Sequence, residues 1–79
     1  MATSWFVYDD TGGVCDPLNY TIISGNPICP APKRRLCAIF AEIQMIGGVQ
    51  KPYIPPALCS EIHLAISTLI ESSNVRLKP

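Results

Sequence analysis

Leu36-Cys37-Ala38-Ile39-Phe40-Ala41-Glu42-Ile43-Gln44-Met45-Ile46 is the stretch on which the fold turns. As a strand it is apolar on both faces, with Leu36, Ala38 and Phe40 on one and Cys37, Ile39, Ala41 and Ile43 on the other. As a helix it gathers Leu36, Ile39, Phe40, Ile43 and Ile46 on one side, with Gly47 as the stop. Periodicity alone does not separate the two. We read the segment as a strand; the loop lengths then allow a hairpin in which Cys29 and Cys37 flank one connection.

Upstream, Trp5-Phe6-Val7-Tyr8 has strand composition and runs into the turn residues Asp9-Asp10-Thr11-Gly12-Gly13. Tyr20-Thr21-Ile22-Ile23 reads as a second strand, stopped by Ser24-Gly25-Asn26-Pro27. Pro30, Pro32 and the basic run Lys33-Arg34-Arg35 form a loop unsuited to a central strand. Downstream, Gly47-Gly48, Pro52 and Pro55-Pro56 predict an irregular stretch. From Ala57 to about Ser72 the pattern is helical, with Leu58, Ile62, Ala65, Ile66, Leu69 and Ile70 on one face, and Pro55-Pro56 suits a first helical turn. Val75-Arg76-Leu77 reads as a short last strand or an extended tail. The expectation is a single α+β domain over residues 1–79: a small antiparallel sheet of about three strands with one C-terminal helix, stapled by disulfides.

The 79 residues include four cysteines, Cys15, Cys29, Cys37 and Cys59. An even count in so short a chain reads as two disulfides and an oxidising compartment. Four cysteines allow three connectivities. We favour Cys29–Cys37, closing the Pro-rich loop, with Cys15–Cys59, tying the loop after the first strand to the first turn of the helix. Zinc is disfavoured because structural sites bring cysteines in close pairs such as C-x2-C, which this chain lacks. No cofactor is indicated. The composition, 48% hydrophobic and 15% charged, is that of a folding chain rather than a disordered one.

Six basic and six acidic residues give zero net charge, so nothing favours nucleic acid or an anionic membrane as partner. No stretch approaches the roughly 20 apolar residues of a transmembrane helix. Met1-Ala2-Thr3-Ser4 lacks a basic leader region and no long apolar run follows it. We expect a mature secreted or cell-envelope chain whose leader is absent from this sequence; a cytosolic chain with free thiols is the alternative.

Trp5-Phe6-Val7-Tyr8, Asn19-Tyr20-Thr21, Cys29-Pro30 before Leu36-Cys37-Ala38-Ile39-Phe40-Ala41-Glu42, and the ending Asn74-Val75-Arg76-Leu77-Lys78 together resemble a group of small exported proteins of Bacteroidetes without assigned activity. The resemblance spans most of the chain through short motifs. It implies export and a Cys29–Cys37 bridge, with Cys15 and Cys59 as additions to the group's pattern. It implies nothing about chemistry.

Catalytic constellations are sparse. His63 is the single histidine, four residues after Cys59 on the expected helix, and with no third ligand indicated it reads as a helix-flank residue. Asp9, Asp10, Asp16, Glu42, Glu61 and Glu71 show no diagnostic spacing. The aromatics Trp5, Phe6, Tyr8, Tyr20, Phe40 and Tyr53 are expected mainly in the core. These observations disfavour an enzyme. They favour a non-enzymatic protein that acts by self-association or by binding a protein partner, through Leu36, Ala38 and Phe40 on a strand face that one helix leaves uncovered. The alternative is a secreted effector or inhibitor that presents Lys33, Arg34 and Arg35 on the Pro-rich loop 30–35, made rigid by Cys29–Cys37.

Overall fold

The computed structural model describes residues 2–78 and has the α+β architecture, with five strands rather than about three. In chain order these are β1 (Thr3–Tyr8), β2 (Tyr20–Ile23), β3 (Arg35–Ile46), β4 (Val49–Tyr53), helix α1 (Pro56–Thr68) and β5 (Val75–Lys78). A single 3-10 turn, Pro17–Asn19, leads into β2 and is capped by the Asp16 carboxylate, which accepts from the Leu18 N–H. All pairings are antiparallel, in the order β2-β1-β3-β4, with β5 also on β3.

The segment 36–46 is a strand, and β3 is the axis of the sheet. It pairs with β1 over Ala38–Glu42, with β4 over Glu42–Ile46 and with β5 over Arg35–Ile39. The Ile43 N–H bonds the Ala2 carbonyl on the β1 side, and the Phe40 N–H bonds the Asn74 carbonyl on the other. Strand backbone groups alternate between edges, so β1 holds one edge of β3 while β4 and β5 share the other.

The expected hairpin between β2 and β3 does not form. β2 pairs with β1, register Trp5 to Ile23 through Tyr8 to Tyr20, and the chain crosses over β1 to reach β3. The crossing loop is pinned by Cys29–Cys37. Cys37 itself is a bulge: Leu36 faces Leu77 while Ala38 faces Arg76, one residue of β3 being extra. A bulge resets the alternation of side chains. Leu36 therefore joins Ile39 and Ala41 on the helix side, packed with Phe6, Tyr20, Leu58, Ile62, Val75 and Leu77. Cys37 and Ala38 lie together on the second face with Trp5, beside Val7, Ile23, Cys29 and Phe40.

Two further segments differ from the sequence reading. Gly47 and Gly48, both at positive φ (58° and 80°), make a two-residue hairpin turn joining Ile46 to Val49, and β4 follows where an irregular stretch was expected. This is the turn geometry that matches strand twist and that glycine adopts without strain. Pro52 fits a strand because its partner Ile43 sends its N–H to β1, so the missing proline N–H faces away from β3. The helix ends at Thr68, not near Ser72. Leu69 takes the left-handed conformation (φ 58°, ψ 32°) and turns the chain out of the helix, after which Ser72 bridges to Val75 and β5 begins.

Candidate functional site

The two disulfides are Cys15–Cys59 and Cys29–Cys37, and no cysteine is free. This is the covalent pattern of a chain that folds outside a reducing cytosol. Among the described residues no helix is long and apolar enough to cross a membrane.

The second face of β3 is closed by the chain itself. Cys29 and its bridge to Cys37 cover one part of it, and the Arg76 guanidinium lies 5.1 Å from the centre of the Trp5 ring over another. Trp5 and Phe40 pack with ring centres 5.2 Å apart. Of the three apolar residues expected at an interface, Leu36 (2% exposed) and Ala38 (0%) are interior, Leu36 on the opposite face from the one assigned to it. Phe40 alone reaches the surface.

The basic run divides in a similar way. The Lys33 ammonium donates to the carbonyls of Cys29 (2.6 Å) and Leu77 (3.2 Å) and pairs with Glu71 at 3.2 Å, so it anchors the loop. Arg34 and Arg35 are exposed, with the Arg34 N–H bonded to the Lys78 carbonyl. The Glu71 carboxylate in turn accepts from the Leu77 N–H at 2.9 Å. Burial pushes the Glu71 carboxyl up, but the Leu77 N–H and the charges of Lys33 and Arg76 outweigh it and hold the group below its ordinary value.

A groove opens where the shared edge of β3 is left uncovered. β4 pairs with β3 up to Glu42 opposite Tyr53 and β5 pairs with it up to Ile39 opposite Val75, so Phe40–Ala41 between them is bare except for the Asn74 carbonyl. The N-terminal half of α1 floors this notch, giving an open hollow of 420 Å³ lined by Phe40, Glu42, Tyr53, Leu58, Glu61 and Asn74 among others. A second hollow of 270 Å³, with Leu64, Thr68 and Ile70 on its walls, shares Glu61 with the first. Ala57, Glu61, Leu64 and Thr68 fall three or four residues apart, so one stripe of α1 borders both. The Glu61 carboxylate accepts from the Ser72 hydroxyl and, at 3.4 Å, from the Asn74 amide. Among the described residues neither Glu42 nor Glu61 forms an ion pair. The result is an apolar trench with uncompensated negative charge.

His63 stands at another corner, with Nε2 3.5 Å from Cys15 Sγ. The loop that carries Cys15 is held by more than the disulfide. Tyr8 and Tyr20 hydroxyls donate to the Gly12 and Val14 carbonyls, and the Asn19 amide donates to the Gly13 carbonyl at 3.0 Å. Burial, reinforced by Tyr8 and Asp9, pushes the Tyr20 phenol well above its ordinary value, which keeps it a donor. Gly12 sits at φ 68°, and a Cβ there would meet the Asn19 amide nitrogen at 2.5 Å, so a side chain would push that amide off the Gly13 carbonyl.

The sequence places Cys59 and His63 four residues apart and favours the Cys15–Cys59 bridge, but nothing in it joins the two features into a triad. The groove is not legible in the sequence, because a gap in strand pairing has no local signature. The chain matches no protein-family model, no curated protein and no solved structure.

Proposed function

We propose that this is an exported, non-enzymatic module, kept rigid by its two disulfides, that binds a protein partner in the groove along α1. The observation that carries the reading is the notch at Phe40–Ala41, where Phe40, Tyr53 and Leu58 supply apolar contact and the neighbouring Glu42 and Glu61 supply negative charge without an ion-pair partner among the described residues. An extended segment with basic residues set among apolar ones complements it in both respects. Partner binding is preferred to edge-to-edge assembly because several outward-facing groups of β5 and β2 are already engaged: Lys33 and Glu71 hold the Leu77 peptide group, and the Lys51 ammonium holds the Tyr20 carbonyl at 2.6 Å. The oxidised chain is suited to the task, since a stapled surface loses little entropy on binding.

The test is a display library of extended peptides selected on the oxidised protein. Enrichment of basic-apolar sequences is expected, with binding reduced at least about tenfold by Glu42→Lys and sedimentation showing a monomer at high micromolar concentration. No enrichment, or enrichment that Glu42→Lys leaves intact, overturns the groove reading. Concentration-dependent dimers would instead favour self-association. The alternative reading, a presented loop, rests on exposed Arg34 within the segment fixed by Cys29–Cys37; it requires that Arg34→Ala, and not Glu42→Lys, abolish capture.

A further inference from the structure

Cys15 Sγ, Cys59 Sγ and His63 Nε2 lie within 4.8 Å of one another, on two elements that meet without help from a metal. We propose that reduction of the Cys15–Cys59 bridge turns this corner into a three-ligand site for a thiophilic divalent cation, with Zn²⁺ the representative ion. The disulfide and the metal are then alternative occupants of one place.

The geometry is close to what the metal needs. Tetrahedral zinc with Zn–S near 2.3 Å and Zn–N near 2.0–2.1 Å sets its sulfur and nitrogen ligands about 3.5 Å apart and its two sulfurs about 3.8 Å apart. Cys15 Sγ and His63 Nε2 are already 3.5 Å apart. The sulfurs, bonded to each other in the disulfide, have to move apart once that bond is cut to reach the tetrahedral spacing. Each sulfur then turns about its own Cα–Cβ bond, on Cα atoms 5.4 Å apart.

Preorganisation survives reduction because neither element depends on the bridge alone. Cys59 and His63 are four apart on α1 and so share a face. The Cys15 loop keeps its contacts to Tyr8, Asn19 and Tyr20. His63 is exposed and both cysteines are half-buried, which leaves the fourth coordination position to water, the pattern of an open Cys₂His site. A zinc site is ordinarily marked by two cysteines close in the chain, which this sequence lacks. Here the close pair is a cysteine and a histidine, and the other cysteine arrives from 44 residues away.

The chemistry balances with a low-molecular-weight thiol as reductant. One thiolate attacks a sulfur of the bridge to give a mixed disulfide and a cysteine thiolate; a second releases the oxidised thiol and the other cysteine. Each cysteine thiolate takes a proton from water, and the cation then displaces both protons and binds two thiolates with the neutral imidazole. Cys29–Cys37 has no such partner: among the described residues the Cys15, Cys59, His63 group is the one cluster of three metal-ligating side chains.

The experiment uses the whole chain, reduced and desalted without oxygen, titrated with Co²⁺ and then Zn²⁺. One cobalt per chain is expected, with thiolate-to-cobalt charge-transfer absorption and the strong visible bands of a tetrahedral site, bleached by zinc. His63→Ala should lower affinity by more than the roughly 10–100-fold cost of losing an outer-shell partner. Cys29→Ala/Cys37→Ala should bind as the parent does. A reduced chain that keeps its fold yet gives no charge-transfer band overturns the proposal, as does binding indifferent to His63→Ala. A reduced chain that is unfolded should regain its native circular dichroism when zinc is added; failure to do so also overturns it.

Discussion

Leu77 turns its N–H and C=O to the outer edge of β5, where another strand would pair if it had access. Instead the Glu71 carboxylate takes the N–H and the Lys33 ammonium takes the C=O, and the two side chains pair with each other. One ion pair thus closes one peptide group, and it does so with residues 38 positions apart, which local sequence reasoning has no means to join. The protonation of Glu71 follows from this arrangement. Its carboxyl lies below its ordinary value in the folded chain, so the unfolded state takes up the proton first as pH falls. Its stabilising contribution is complete above the unfolded value, about 4.3, and disappears as pH drops through the lower folded value. Glu71→Gln should therefore cost about 1 kcal/mol near neutral pH. In urea unfolding at a series of pH values, the variant and parent curves should converge in acid; a constant gap down to low pH would show that Glu71 acts by packing instead.

At the scale of elements, β4 separates what was legible from what was not. In the sequence, Gly47-Gly48 and Pro52 read as marks of irregular chain. The glycines in fact form a tight hairpin turn, and the proline occupies the one kind of strand position that needs no N–H. A Cβ at Gly48 would meet nothing within 4 Å. Gly48→Ala should consequently lose about 1 kcal/mol through backbone strain alone, seen as a fall in Tm of about 4–8 °C, while a larger loss would point to contacts beyond the turn. The apolar face of α1 is readable because Leu58, Ile62 and Ala65 repeat at helical spacing, whereas the periodicity of 36–46 fits a strand and a helix alike, and the loop lengths tip the reading to strand. The bulge at Cys37 was not readable, since a strand buried on both sides shows no alternation to be interrupted. The end of α1 was hidden for a different reason. Ser72 and Ile70 continue the helical pattern, but Leu69 adopts a left-handed conformation that its own side chain disfavours, and the pairing of Ser72 with Val75 and of Glu71 with Leu77 offsets that cost. The groove is the product of these endings, and so it became visible with the topology.

For the molecule as a whole, the two bridges differ in reach. Cys15–Cys59 spans 44 residues and Cys29–Cys37 spans 8, for which loop-closure entropy gives about 4 and about 2.5 kcal/mol. Both are large against the roughly 4–12 kcal/mol expected of a domain this size. Cys15→Ala/Cys59→Ala should thus lower Tm more than Cys29→Ala/Cys37→Ala, and the reverse order would show that the short bridge matters mainly by covering Trp5 and Ala38. The placement of the end strands has a mechanical meaning too. β1 and β5 lie on opposite edges of β3, both antiparallel to it, with Thr3 near Glu42 and Lys78 near Arg35. Tension on the two ends therefore drags β1 and β5 along β3 in opposite directions, loading each ladder in shear so that its bonds bear the force together rather than opening one by one. Even when that clamp slips, the closed ring from Cys15 to Cys59 cannot lengthen. Under load the oxidised protein behaves as a short tether with a hard stop, and a reductant removes the stop.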